Sequence, residues 1–170
     1  MNNSQNGNIL KNQFEITRLD KQILDELQHD CRLSNLELAD RIGSSASSIW
    51  RRVKALQQAG VICGFNLTVD AERLGLAETL LLHISLHTHS DKSTDAFTRL
   101  VNDLPEVLEC YAVTGEYDYQ LKVVAADMRA YYRFLEEKLM SSDLIARTSS
   151  TVVMKKIKDT TTIPTGFASA

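Results

Sequence analysis

The hydrophobic pattern changes period near Glu78, and this change limits the possible folds more than any other feature of the chain. Before it, apolar residues recur three and four apart. After it, short apolar or alternating runs are interleaved with two further helical stretches. A chain of 170 residues with such a break reads as two small domains. Its 44% hydrophobic and 24% charged residues match a soluble globular protein. No apolar run approaches the ~20 residues of a bilayer crossing. Residues 1–15 are polar, without the basic and apolar regions of a signal peptide, and read as a disordered tail. Cys31, Cys63 and Cys110 are widely spaced; they read as reduced thiols, and the expected location is the cytoplasm.

Three short helices are expected in residues 16–64. Thr17-Arg18-Leu19-Asp20 and Ser34-Asn35-Leu36-Glu37 each have the form of a capping box, with Ile16 placed as a staple before the first. Leu19, Ile23, Leu24 and Leu27 carry the first helix to about His29; Leu38, Ala39 and Ile42 face inward from the second. Gly43 supplies the stop, and Ser44 or Ser45 caps a third helix that ends at Gly60. Val61 to Leu67 looks extended and is expected to form a strand leading out of the module.

The third helix carries the chemistry. At about 100° per residue, Ile49, Val53 and Leu56 share one stripe, while Ser47, Arg51, Lys54 and Gln58 lie nearly opposite. Hydroxyls at the start (Ser45, Ser47, Ser48), then Arg and Lys, then an amide, suit a helix lying in a major groove. Trp50 and Arg52 fall on the flanks, placed to touch the DNA backbone or brace neighbouring helices. Charge is distributed accordingly. Residues 1–64 hold eight Lys/Arg and seven Asp/Glu, residues 65–170 hold eleven and fifteen, and 44–64 contain no acid at all. A net charge of −3 therefore does not exclude DNA, because repulsion is screened beyond ~8–10 Å. Two helices joined by a tight Gly-Ser turn, the second basic, read as a helix-turn-helix.

From Thr79 to Leu86 the chain is strand-like. Lys92–Leu104 reads as a helix, Val107–Val113 and Tyr117–Val124 as a hairpin, Asp127–Met140 as a helix with Met128, Tyr131, Leu135 and Leu139 on one side, and Ile145–Ile157 as a long closing strand. The order β-α-β-β-α-β is that of a ferredoxin-like unit with both helices on one sheet face. The fold class is thus α+β: a three-helix (winged) helix-turn-helix over 16–64, a linker over 65–77, a βαββαβ domain over 78–160 and a tail over 161–170. The uncovered sheet face favours a homodimer, which also matches paired half-sites in DNA.

Several segments together resemble the Lrp/AsnC (leucine-responsive and asparagine-responsive) regulators. They are Leu19-Asp20-Lys21-Gln22-Ile23-Leu24, Leu38-Ala39-Asp40-Arg41-Ile42-Gly43, Arg51-Arg52-Val53-Lys54-Ala55-Leu56, Gly60-Val61-Ile62-Cys63-Gly64-Phe65 and the hairpin Val113-Thr114-Gly115-Glu116-Tyr117-Asp118-Tyr119. The resemblance covers about residues 17–160 in order. It implies a nucleoid-associated regulator that binds double-stranded DNA as dimers built into tetramers or octamers, with an amino-acid effector bound between dimers. Carried over, the effector residues are Ala112, Thr114, Gly115, Glu116, Tyr117 and Asp118, with Met128 and Met140 from the helix side and Thr151 and Val153 from the last strand. Gly115 lets a backbone approach closely, and Asp118 suits an ammonium group.

Catalysis is not expected, since no nucleophile–base pair or phosphate-cradling glycine loop is visible, and no cofactor is implied. His83 and His87 would share a strand face with no acid or third ligand between them, and His89 enters a polar loop, so no metal is expected. The alternative reading is a ligand-independent architectural protein that bends DNA.

Overall fold

In the computed structural model, which describes residues 14–167, the chain forms two units: 14–67 with 159–167, and 68–158. The first unit holds α1 (Arg18–His29), α2 (Asn35–Ile42) and α3 (Ala46–Gln58). Both capping boxes are complete: the Thr17 and Ser34 hydroxyls accept from the N–H groups of Asp20 and Glu37, whose carboxylates accept from the cap N–H groups. Gly43, at φ 74°, turns the chain so that the Ser44 N–H reaches the Ala39 carbonyl at 2.9 Å. An L side chain would be strained there. Ile23, Leu27, Leu38, Ala39, Ile49 and Leu56 form the core, with Ile16, Ile42, Val53 and Ile62 packed around it.

The strand expected from Val61 to Leu67 does not form. The Val61 and Ile62 N–H groups both close on the Leu56 carbonyl, at 2.9 and 3.2 Å, as the seal of α3. Two of its donors are therefore consumed by a helix terminus. The tail, expected as a separate end, belongs to this unit. The Gln28 amide donates to the Ile163 carbonyl at 3.0 Å and accepts from the Ile163 N–H at 2.7 Å, while the Thr165 hydroxyl donates to Asp25 at 2.8 Å.

One ion pair crosses the core of the helical unit. The Arg52 Nε–H donates to Asp20 Oδ1 at 2.7 Å, and its Nη2 donates to Oδ2. The Thr17 N–H and O–H donate to the same carboxylate at 2.8 and 2.6 Å. Asp20 is fully buried, and the Phe14 ring lies 5.2 Å from the guanidinium carbon. Burial works to raise the carboxyl's pKa, but the hydrogen bonds from Arg52 and Thr17 outweigh it and hold Asp20 below its ordinary value.

The second unit holds β1 (Glu78–Leu86), α4 (Asp91–Asn102), β2 (Val107–Ala112), β3 (Tyr119–Ala125), α5 (Met128–Phe134) and β4 (Ile145–Val152). The antiparallel sheet has the order β2-β3-β1-β4. Alternation puts Leu80, Leu82, Ile84 and Leu86 under the helices, against Phe97 and Val101 of α4 and Tyr131, Phe134 and Leu139 of the second helix. The Tyr131 hydroxyl also shares a hydrogen bond with Ser150 of β4 at 2.6 Å.

α5 continues as a π-helix over Leu135–Met140. A regular helix would aim Lys138, seven residues after Tyr131, at the core; the wider turn delays this by one residue and buries Leu139 instead. The expected inward side is corrected accordingly. Phe134 joins Tyr131 and Leu139 in the core, Leu135 is half-buried, and Met128 is exposed. β4 ends at Val152, short of the expected Ile157, because its partner β1 begins at Glu78 and offers its last bond, Thr79 C=O to Val153 N–H, at 2.9 Å. The sheet face away from the helices carries Leu81, His83, Gln120, Lys122, Glu109 and Tyr111, a mixed rather than an apolar surface.

Asp20→Asn should cost on the order of 3 kcal/mol in urea unfolding, because Arg52 loses its counter-charge inside the module. Since the native carboxyl has the lower pKa, its stabilisation is complete above the unfolded value near ~3.9 and lost as pH falls through the native one. Acid titration of wild type against Asp20→Asn should show that segment of the pH dependence missing in the variant.

Candidate nucleic-acid interface and effector site

α3 begins at Ser45, whose hydroxyl accepts from the Ser48 N–H at 3.3 Å and lies 3.3 Å from the Ser47 hydroxyl. Three hydroxyls thus ring a helix N-terminus, where backbone dipoles favour phosphate. Ser47, Arg51, Lys54 and Gln58 are exposed and Ser48 is half-buried. These residues leave the core on the side opposite Ile49 and Leu56, as their spacing predicts. Arg52 is placed differently: its guanidinium is engaged inside the module with Asp20, and its side chain is only 24% exposed. The flank reading that it braces a neighbouring helix describes its contacts. The exposed positive charge of α3 is therefore carried by Arg51 and Lys54.

The hairpin residues form a second cluster. Gly115 sits at φ 121° with open space around it, a backbone state that side chains disfavour. Glu116 is paired with Arg147 at 3.1 Å, and the Arg147 guanidinium carbon stands 4.6 Å from the Tyr117 ring centroid. On its other contact, the Tyr117 ring is 5.2 Å from that of His83. Asp118 is tied into the fold: its Oδ2 accepts from the Leu86 N–H at 2.8 Å, its backbone N–H donates to the Ile84 carbonyl at 2.9 Å, and Oδ1 lies 3.7 Å from His89 Nδ1.

Sequence reasoning missed Arg147, His83 and Leu86 as partners of the hairpin. The β1–β3 register, Ile84 opposite Tyr119, brings His83 and Leu86 to the hairpin, the β1–β4 register, Ser85 opposite Arg147, adds the arginine, and nothing local in the sequence signals either.

The expected effector residues are not all gathered within one copy of the chain. Ala112 and the hairpin lie at the sheet end where β4 starts, and the topology returns Met140 toward that end. Thr151 and Val153 pair opposite Leu81 and Thr79 at the far end, and Met128 follows β3 there. Thr151 is four residues beyond Arg147, roughly 13 Å along the strand. A cleft of about 200 Å³ between α4 and the β2 edge is lined by Phe97, Val101, Cys110, Ala112 and Tyr119. Ala112 alone among the lining residues was expected at an effector site. Partial desolvation pushes the Cys110 thiol's pKa up.

Among the described residues, no three His, Cys, Asp or Glu side chains gather to hold a metal ion, and no helix is long and apolar enough to cross a membrane.

Comparison with known proteins connects both surfaces. Residues 16–62 match the winged helix-turn-helix DNA-binding model, and residues 79–163 match the Lrp/AsnC ligand binding domain. The transcriptional regulator AzlB of Bacillus subtilis is 39% identical over 145 residues, covering 85% of this chain and 92% of that protein. The crystal structure of a Neisseria meningitidis transcriptional regulator in complex with L-Met superimposes with a TM-score of 0.85 at 34% identity, covering 89% of this chain and 98% of that one. Escherichia coli AsnC superimposes with a TM-score of 0.80 at 30% identity, covering 87% and 98%. The chain belongs to the Lrp/AsnC family of DNA-binding transcriptional regulators with an amino-acid ligand-binding domain.

Proposed function

We propose that this regulator reads duplex DNA through Ser45, Ser47, Ser48, Arg51, Lys54 and Gln58 of α3, and that an amino acid bound at the β2–β3 hairpin changes how its copies assemble. The observation that carries the DNA half is the exposed, acid-free face of α3, from which Arg52 is withdrawn by Asp20. Arg51 then supplies the fork for a guanine edge and Lys54 the point charge for phosphate. No catalytic step is assigned to any residue.

The effector half follows from where the hairpin and strand residues lie. Since the hairpin and Thr151 sit at opposite ends of one sheet, an amino acid that touches both sets does so between copies. A homodimer paired through the mixed sheet face, assembled further into tetramers or octamers, supplies that arrangement. The effector couples to DNA by favouring one assembly over another, which its affinity difference between the two must drive. The L-Met complex of the Neisseria relative places methionine first among the effectors to try. The site of action is the cytoplasm, on the nucleoid.

Thermal melts of the full chain against the common amino acids test this reading. A true effector at ~100 times its dissociation constant adds ~2.7 kcal/mol per site, and the same amino acid should shift sedimentation and DNA affinity. A panel with no response would leave the ligand-independent architectural reading in its place. Asp118 gives a second test. Because it holds the end of β1, Asp118→Ala should lower stability by about 1–3 kcal/mol, with Asp118→Asn recovering much of it. An effector response lost without any change in melting would instead assign Asp118 to the ligand.

A further inference from the structure

Trp50 is the chain's one tryptophan, and it stands on α3 with 54% of its surface exposed. The core does not use it: the inward positions of α3 are filled by Ile49, Val53 and Leu56. Its ring, with an apolar body and a polar N–H, is thus available to contacts outside the core. One turn further on, the Lys54 ammonium stands 4.9 Å from the indole ring centroid, within the range of a cation–π contact. At about 100° per residue, Lys54 lies between Trp50 and Arg51 around the helix.

A lone lysine on a helix surface has a flexible four-carbon stem and a strongly hydrated charge. The indole face restricts that stem and shields one side of the ammonium. The charged rim of α3 therefore consists of a forked guanidinium, Arg51, beside a lysine held against an aromatic wall.

We propose that Trp50 is a positioning residue of the DNA interface: it holds the Lys54 ammonium toward a phosphate at the groove edge and lays its own ring against the sugar–phosphate backbone. Duplex DNA is the occupant of this surface because the face is positive and α3 carries no acid. The inference rests on the reading that α3 faces DNA.

The test uses the full chain and duplexes that the wild-type protein selects from a random-sequence pool. The salt dependence of binding is measured for Lys54→Gln, Trp50→Leu, the double variant and Trp50→Phe, with thermal melts to check the fold. Lys54→Gln should lower the slope of log affinity against log salt by about one for each α3 engaged, about two for a dimer on paired half-sites, the signature of one lost phosphate contact per copy. Trp50→Leu should lower it nearly as much, the double variant should lose little more, and Trp50→Phe should restore most of it. In the wild type, Trp50 fluorescence should change on adding DNA.

An unchanged slope in Trp50→Leu, or losses that simply add, would overturn the proposal. So would emission that ignores DNA but follows protein concentration, which would put a second copy of the chain on this surface. Arg51→Ala separates the two levels. If it weakens binding while the Trp50 cycle fails, only the positioning role falls; if it has no effect, α3 is not the DNA face.

Discussion

The arrangement of the DNA-binding unit depends on the contact between Asp20 and Arg52. A carboxylate with no solvent exposure at the first turn of α1 is tolerable only because Arg52 and Thr17 satisfy both of its oxygens. The same contact fixes the rotation of α3 about its axis. With Arg52 drawn inward beside Ile49 and Leu56, its neighbour Arg51 must point out, and Lys54 with it. One residue of an adjacent arginine pair is thereby committed to the fold and the other left exposed on α3. The Asp20 carboxylate also completes the capping box with Thr17, so helix initiation and helix docking share one group.

In the second unit the corresponding constraint lies at the hairpin. Asp118 accepts from Leu86 and donates its own N–H to Ile84, so the loop that begins at Val113 is anchored to the end of the central strand β1. Arg147 then reaches across from β4 to Glu116 and Tyr117. A ligand bound at this loop, as proposed, would press on three strands at once, two of them through side chains.

What the sequence made legible was what local chemistry decides. The two capping boxes, the left-handed turn at Gly43 and the inward stripe of α3 each depend on residues a few positions apart, and all are present as read. The βαββαβ order was likewise visible in the alternation of periods. The missed features are long-range. Asp20 and Arg52 are 32 residues apart, so the helical wheel showed Arg52 only as a flanking residue. The pairing of Ser85 with Arg147 is a matter of register, and the early end of β4 follows from where β1 begins. Leu139 faces inward as read, but it does so through a π-helix that also brings Phe134 into the core, and no periodicity argument anticipates that turn. For the candidate effector residues, the family resemblance supplied the set, and only the sheet register showed that they divide between its two ends.

The proposed division of labour, Arg52 to the fold and Arg51 to DNA, is tested most directly by the side-chain Nε–H resonances of the two arginines. In nuclear magnetic resonance spectra of the full chain, assigned with Arg51→Lys and Arg52→Lys, the Arg52 Nε–H should exchange slowly with water in the free protein and keep its position when DNA is added. The Arg51 resonance should exchange fast when free and shift on binding. An Arg52 signal that exchanges rapidly and moves with DNA, beside an unmoved Arg51, would contradict the claim and reverse the two roles.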